Sequence, residues 1–314
     1  MSRETQVPYH SEIADQILNI PSSIPESKNQ LLKRIVNALG QTPGVAAVVL
    51  GGSYARGTQR EASDLDLGLY YLEAAPFSIA DVKRVAASVS VQNAPVVTDF
   101  YEWGPWVNGG AWVQTEAGKV DFLYRNLNQV QQIIDEAHQG IIHHDYDQQP
   151  AYGFYSVIYL AETHVCIPLY DPHVQIANLK HQVATYPAKL KQRMIVEWLW
   201  SAEFTLIHAL DFAAAADVYN TVGCLTRVAA SLTQVLFALN ETYFISDKQV
   251  MEAIARFSIR PPGYVEQMAN ILAQPGQTAE ELSRSVANLK AVWQNVVELA
   301  GETYQPKFSI GDAE

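Results

Sequence analysis

The pattern of apolar and polar positions divides the chain into two parts of different texture. Up to residue 172, short apolar runs alternate with amphipathic segments, which is typical of a sheet flanked by helices. Beyond it, long segments with apolar residues at helical spacing follow one another, separated by proline and glycine breaks. We therefore predict an α+β domain with a small mixed sheet over residues 1–172 and an all-α helical bundle over residues 173–314.

The individual elements follow from the same periodicities. In the first part, the pattern predicts helices over 28–39, 78–89 and 127–138, with a short helix that begins at Ser53. Apolar runs bounded by turn residues predict strands over 45–51, 64–71 and 95–101, a hairpin over 112–125, and an edge strand at 167–172. In the second part, the pattern predicts helices over 188–216, 220–240, 247–257, 264–273 and 278–301.

Composition and charge restrict the class of function. The net charge of −12 argues against a nucleic-acid backbone as partner, because proteins that bind such a backbone carry a basic surplus. The two cysteines, Cys166 and Cys224, indicate reduced packing residues rather than a disulfide framework. Residues 1–16 lack the apolar core of a signal peptide, and charged residues interrupt the long apolar helices. We therefore expect a cytoplasmic protein that does not span a membrane.

The segment 51–69, GGSYARGTQREASDLDLGL, contains the strongest candidate for a chemical site. On a strand, Asp64 and Asp66 point to the same face, whereas Leu65 and its apolar neighbours point to the other. Two such carboxylates are costly near a core unless a cation lies between them. Because hard divalent cations prefer oxygen ligands, this pair predicts a chelate for Mg²⁺.

The residues ahead of the aspartate pair predict a phosphate site. Gly51 and Gly52 allow the backbone to approach a ligand without an intervening Cβ. Ser53 then opens a short helix whose unpaired amide N–H groups favour a phosphate. Arg56 follows one turn later and is able to reach a phosphate oxygen with its forked donors.

This order of elements resembles the nucleotidyltransferase superfamily typified by DNA polymerase beta. Its signature is an apolar residue, Gly-Gly or Gly-Ser, a spacer, and an Asp-x-Asp pair between apolar residues. The matching stretches are Leu-Gly-Gly-Ser at 50–53, Ser-x-Ala-Arg-Gly at 53–57 and Ser-Asp-Leu-Asp-Leu-Gly at 63–68. The extended Ser-x-Ala-Arg-Gly form is similar to that of bacterial small-molecule and minimal nucleotidyltransferases. The resemblance covers about residues 30–172. The helical part, with LYDP at 169–172 and VLFALNETYF at 235–244, more weakly resembles the accessory domain of antibiotic-modifying members.

The resemblance implies a reaction and a set of site residues. It implies transfer of a nucleoside monophosphate, AMP from ATP, to a hydroxyl, with two Mg²⁺ ions and a third carboxylate on a neighbouring strand. Asp121, in the stretch KVDFLYR, stands where that third carboxylate is expected, and Asp99 and Glu102 are rival acids. The implied catalytic and metal-binding residues are Asp64, Asp66 and Asp121. The implied nucleotide-binding residues are Gly51, Gly52, Ser53 and Arg56.

Three classes of function remain open for such a chain. The first is transfer to a small hydroxylated molecule, as in aminoglycoside- or lincosamide-modifying enzymes, and the acidic chain favours a cationic acceptor. The second is adenylylation of a protein, as in toxin–antitoxin relatives, which are usually much shorter. The third is a non-catalytic nucleotide-binding regulator, which the complete set of acids disfavours. The sequence leaves the oligomeric state open.

Four further features allow two interpretations each. The aromatic loop 103–112 could form an acceptor wall or a packed hairpin, and Lys189 and Lys191 could reach a triphosphate or lie at the surface. We favour a polar loop over a metal site for residues 143–145, His-His-Asp, because adjacent side chains rarely converge. Residues 219–220, Tyr-Asn, fit the start of a helix better than a nucleobase contact.

Overall fold

The computed structural model describes residues 20–92 and 94–310, so the expectation about a signal peptide at residues 1–16 lies outside the described residues. The helices are α1 Glu26–Gly40, α2 Gly52–Arg56, α3 Ile79–Val89, α4 Leu127–Gln139, α5 Val157–Val165, α6 Gln175–Gln182, α7 Ala188–Ala214, α8 Val218–Leu239, α9 Val250–Ala255, α10 Tyr264–Ala273 and α11 Ala279–Ala300. The strands are β1 Ala47–Leu50, β2 Leu65–Tyr71, β3 Val96–Val97, β4 Gly110–Thr115, β5 Gly118–Asn126, β6 His144–Asp145, β7 Phe154–Tyr155 and β8 Ile167–Tyr170.

The chain folds into two compact units that interleave along the sequence. Unit 1 takes the described residues up to Glu102, together with Gly109–Arg125 and Val165–Ala177. Unit 2 takes Trp103–Asn108, Asn126–His164 and the described residues from Asn178 onward. We predicted two consecutive domains instead, over residues 1–172 and 173–314. That division into functional domains stays a prediction.

Unit 1 is built on a six-stranded sheet in the order β3-β4-β5-β2-β1-β8. Strand β1 pairs antiparallel with β2, with Leu50 opposite Leu67, and β4 pairs antiparallel with β5, with Trp112 opposite Asp121. The predicted edge strand at 167–172 is confirmed, since β8 lies at the end of the sheet. The order also makes β5, which carries Asp121, the direct neighbour of β2.

The core of unit 1 follows the predicted periodicities. The alternating residues Leu65, Leu67 and Leu69 of β2 are at most 1% exposed, and burial of each contributes about 2 kcal/mol. The helical stripe of α1 meets the same cluster through Leu32 and Ile35, which are fully buried. Because one face of β2 is fixed in the core, its polar residues must lie on the other face.

Unit 2 is mainly helical, as predicted, and with unit 1 it confirms the fold class of a sheet with flanking helices followed by a helical region. Helix α7 packs against α8 and α11. The stripe Leu225, Val228 and Leu232 of α8 is at most 1% exposed. Helix α8 is also the one helix, among the described residues, long and apolar enough to cross a membrane by length and composition, and 67% of that apolar window is buried within the protein.

A single fully buried carboxylate ties the end of the described chain to unit 2. Glu203 on α7 has no exposed surface. Its carboxylate accepts hydrogen bonds from the Tyr304 hydroxyl and from the backbone N–H groups of Lys307 at 2.8 Å and Phe308 at 2.6 Å. The charge is therefore satisfied by fixed donors, which offsets its desolvation.

The structure differs from the predicted elements at a few places. The strand predicted over 95–101 is only Val96–Val97, because the chain turns directly after it. In that turn the Glu102 carboxylate accepts a hydrogen bond from the Asp99 backbone N–H at 2.8 Å, and Tyr101 has a left-handed φ of 60°. Helices α5 and α6 were not predicted.

Candidate active site

The aspartate pair lies where the start of β2 leaves the core. Asp64 immediately precedes the strand and Asp66 is its second residue. Both are half-buried, whereas Leu65 between them is 1% exposed. The structure therefore places the two carboxylates on the face of β2 opposite the core, as the alternation predicts.

The Gly-Gly turn lies directly against Asp66. The Gly51 backbone N–H donates to the carbonyl of Asp66 at 2.8 Å. Gly52 has a φ of +59°, and a Cβ added there would lie 1.8 Å from the Asp66 Oδ2 atom. Glycine is therefore required at position 52 both by its backbone conformation and by its closeness to the carboxylate.

The short helix α2 begins at Gly52 and carries Ser53 and Arg56. The Arg56 side chain is exposed, and its Nε donates to the carbonyl of Gly52 at 3.3 Å. Ser53 is half-buried, and its carbonyl accepts from the Thr58 N–H at 3.0 Å in the turn that ends the helix. The four predicted nucleotide-binding residues thus follow one another around a single turn next to Asp66, and their role stays a prediction.

Sequence reasoning missed Lys28, a buried lysine whose hydrogen bonds connect this turn to the residue before Asp64. Lys28 on α1 is 9% exposed, and its ammonium donates to the Ser63 carbonyl at 2.5 Å and to the Tyr54 hydroxyl at 3.1 Å. It therefore joins the residue before Asp64 to helix α2. The sequence did contain a sign of its burial. Lys28 lies one turn before Leu31 and Leu32, on the apolar face of its helix, where a lysine is unusual.

The structure brings Asp121 to the aspartate pair through a second lysine that sequence reasoning missed. Lys119 and Asp121 are two positions apart on β5, so they share one face of the strand. The Lys119 ammonium is 2.8 Å from Asp121 Oδ2 and 3.7 Å from Asp64 Oδ2. The spacing of Lys119 and Asp121 was visible in the sequence, whereas the contact with Asp64 depends on the order of the strands.

The Lys119 ammonium lies among three acids of the site. Burial alone would lower the pKa of the Lys119 ammonium, but its hydrogen bond with Asp121 and the charges of Asp121, Asp64 and Asp66 together raise it. Asp64, Asp66 and Asp121 therefore act on the same cation. Carboxylates grouped in this way attract positive charge.

The donor set fits a hard divalent cation in its chemistry. Among residues 20–92 and 94–310, no three His, Cys, Asp or Glu side chains are arranged to hold a metal ion. Asp64, Asp66 and Asp121 nevertheless act together on one cation, the Lys119 ammonium. Carboxylate oxygens are the ligands that Mg²⁺ prefers, so the same three side chains could hold Mg²⁺ once the ammonium moves away.

The rival acids lie in a different environment. Asp99 and Glu102 are both exposed, and Glu102 accepts a hydrogen bond from the Asp99 backbone. Burial, followed by the charges of Asp99 and Glu102, raises the pKa of the Tyr124 hydroxyl. These contacts assign the two acids to the turn after β3.

Trp106 and the histidines pack within unit 2, whereas Trp112 lies on β4 of unit 1 and is 48% exposed. The Trp106 ring stacks on Phe154 with 5.5 Å between centroids, and the Trp106 carbonyl accepts from the Tyr159 hydroxyl at 2.5 Å. His144 stacks on Tyr155 with centroids 4.3 Å apart. The contacts of Trp106 agree with a packed segment. The interpretation of residues 143–145 as a polar loop is wrong for His144 and Asp145, because they form strand β6 and pair with β7.

The remaining candidates serve surface and capping contacts. Lys191 forms an ion pair with Glu241 at 2.7 Å. The side chain of Asp217 caps α8 by accepting from the Asn220 N–H at 3.0 Å, which agrees with a helix start at this point. Tyr219 is 87% exposed beside it.

Comparison with known proteins supports the interpretation of the first part of the chain. Residues 32–106 match the family model of the nucleotidyltransferase domain. The match includes the Gly-Gly-Ser turn and the aspartate pair, and it ends before Asp121. It confirms the predicted resemblance and supports a transferase enzyme of the nucleotidyltransferase class.

Two solved structures show a more distant likeness. A nucleotidyltransferase-like protein from Exiguobacterium sibiricum 255-15 is 10% identical with a TM-score of 0.44, over 88% of this chain and 78% of that chain. An aminoglycoside 6-adenyltransferase from Bacillus subtilis is 11% identical with a TM-score of 0.34, over 89% of this chain and 92% of that chain. A comparison with curated proteins finds no match. Neither structural likeness is close enough to define the substrate of this chain.

Proposed function

We propose that the protein is a Mg²⁺-dependent nucleotidyltransferase that moves AMP from ATP to a hydroxyl group. The observation that carries the proposal is the grouping of Asp64, Asp66 and Asp121 around one ammonium. The second support is the Gly51-Gly52 turn, which lies against Asp66 within the matched nucleotidyltransferase segment.

Different residues of the site would bind the metal ions, accept the proton and bind the phosphates. Asp64, Asp66 and Asp121 would hold two Mg²⁺ ions, which when bound neutralise the triphosphate and lower the pKa of the acceptor hydroxyl. Asp121 would accept the proton of the acceptor hydroxyl. The backbone N–H groups from Gly52 onward and Ser53 would hold the terminal phosphates, with Arg56 as a further donor. Catalysis would then rest on positioning and on electrostatic stabilisation of the transition state.

Conservative changes of the three acids test the proposal. Asp64→Asn, Asp66→Asn and Asp121→Asn are each expected to lower AMP transfer by a factor on the order of 10²–10³ or more, since each removes a negative charge from the metal site. The transfer would be measured by mass spectrometry of acceptors incubated with ATP and Mg²⁺. Asp99→Asn is the matched control, because it changes an exposed aspartate of the same unit. Wild-type transfer and triphosphate binding in all three variants would reject the site.

The acceptor is proposed to be a small hydroxylated molecule that carries positive charge. The net charge of −12 raises the local concentration of cations and disfavours polyanions such as nucleic acid. A panel of cationic and neutral hydroxylated compounds, tested at low and high salt, would measure this preference. Labelling of a protein without labelling of any small molecule would support protein adenylylation instead. Binding of ATP without any transfer would support a regulator.

The same proposal places the protein in the cytoplasm, where ATP and Mg²⁺ are abundant. Fractionation of cells that express the full chain would check it, and recovery in the membrane fraction would contradict it.

A further inference from the structure

Lys119 lies where the proposed metal ligands converge. Its ammonium is 2.8 Å from Asp121 Oδ2 and 3.7 Å from Asp64 Oδ2. A metal ion bound by the same oxygens would lie about 2–2.5 Å from them. An ammonium and a metal ion at such distances from shared oxygens would repel each other strongly, so the two cations exclude each other.

The ammonium is held in a way that allows it to leave. The Lys119 side chain is 39% exposed, and ion pairs of such exposure contribute little to stability. Trp112 lies opposite Asp121 in the register of β4 and β5, and its ring centroid is 6.0 Å from the Lys119 ammonium. The ammonium therefore lies between the carboxylates and the aromatic face, and the ring attracts it in addition to the acids.

We propose that Lys119 is a built-in competitor of the metal ion. Its ammonium occupies the acid cluster until a metal ion and a triphosphate enter together, and the oxygens of the triphosphate then accept the displaced ammonium. This inference rests on the proposed function, because it takes Asp64, Asp66 and Asp121 as the metal ligands. Metal and nucleotide should therefore bind cooperatively, and by linkage each should raise the affinity for the other by the same factor.

Binding of Mn²⁺ tests the inference without any measurement of catalysis. Free Mn²⁺ would be measured by electron paramagnetic resonance, with and without α,β-methylene ATP, for the wild type and for Lys119→Met. The variant is expected to bind Mn²⁺ alone at least about fivefold more tightly than the wild type, and to lose a similar factor of cooperativity with the analogue. Lys119→Arg, which keeps the cation, and Lys83→Met, which changes an exposed lysine of α3, are expected to behave like the wild type.

The possible results separate this inference from the proposed function. Equal or weaker binding of Mn²⁺ alone by Lys119→Met, with cooperativity unchanged, would overturn the inference alone. Lys119→Gln keeps a polar side chain on the strand and should reproduce the shift, which guards against a folding defect. If the wild type binds no Mn²⁺ even with the analogue, or if Asp64→Asn binds it equally well, the proposed function and the inference both fail.

Discussion

The acids of unit 1 and the buried acid of unit 2 are satisfied in opposite ways. Asp64 and Asp121 share one partly exposed lysine, Lys119, whose ammonium is 3.7 Å from the first and 2.8 Å from the second. Glu203 is fully buried and is held by a tyrosine hydroxyl and two backbone N–H groups. Both arrangements tolerate negative charge in a folded protein. Only the first has a cation as its partner, as the proposed exchange for a metal ion requires.

The kind of partner distinguishes functional from structural carboxylates in a fold of this kind. A carboxylate with fixed donors has its partners supplied by the fold, and its removal leaves those donors without an acceptor. A carboxylate paired with a partly exposed side-chain cation, beside other carboxylates, depends less on that partner for stability and attracts other cations. We therefore expect the same loss of charge to affect stability in one case and chemistry in the other.

The sharpest test of this comparison is a pair of substitutions, Glu203→Ala and Asp64→Asn. Glu203→Ala is expected to lower the free energy of unfolding by about 2–3 kcal/mol, because the buried Tyr304 hydroxyl and two partly buried backbone N–H groups lose their acceptor. Asp64→Asn is expected to change it by less than about 1 kcal/mol, since a half-exposed ion pair contributes little, while transfer is lost. Urea denaturation followed by circular dichroism would measure both. Equal destabilisation by the two changes would break the comparison.

A second test concerns the glycine that touches Asp66. Gly52→Ala is expected to lower transfer by about 10²-fold, because the new Cβ, 1.8 Å from the Asp66 Oδ2 atom, must displace the carboxylate. Gly57→Ala is the matched control: its φ is also left-handed, at +68°, but a Cβ added there meets nothing within 4 Å.

The Gly57→Ala control separates backbone strain from displacement of the Asp66 carboxylate. Gly57→Ala should carry only the cost of the left-handed backbone, about 1 kcal/mol of stability, with transfer retained. Steady-state rates at saturating ATP, together with unfolding curves for both variants, would distinguish the two effects. Loss of transfer to the same extent in both variants would show that helix α2, rather than the position of Asp66, is what matters.

Asp247 adds a further kind of carboxylate to the comparison, one whose pKa is raised by burial alone. Because the folded state holds this proton more tightly than the unfolded chain, stability falls as the pH rises from the unfolded value of 3.8 through the folded pKa. Asp247→Asn should therefore raise the Tm at pH 7 slightly, by about 1–2 °C, and the gain should shrink towards pH 4. Thermal scans between pH 4 and pH 7 would measure it. A gain independent of pH would contradict the assignment.

The elements with clear periodicity could be predicted from the sequence, and the site could be predicted in part. Helix α1 and strand β2 were predicted within two residues of their ends, because one face of each is apolar. Helix α5, Val-Ile-Tyr-Leu-Ala-Glu-Thr-His-Val, was missed because its residues are mostly buried and so show no amphipathic period. The grouping of Asp121 with Asp64 could be expected only by resemblance, since it depends on β5 lying next to β2.

The roles of the two lysines and the division into units could not be predicted from the order of residues along the chain. Lys28 and Lys119 bind partners on other elements, Ser63 and Asp64. Residues 126–164 look like a continuation of the first part along the chain, but their contacts lie within unit 2. Such assignments depend on tertiary contacts, which a change of texture near residue 172 cannot reveal.

The interleaving of the two units limits how recombination can alter the gene that encodes this chain. The polypeptide passes between the units several times, so neither unit corresponds to one uninterrupted stretch of coding sequence. A single recombination event near codon 172 would leave residues 103–108 and 126–164 of unit 2 with the other fragment. The two units are therefore expected to be inherited together, and to diversify through substitutions within them rather than through the exchange of one for another.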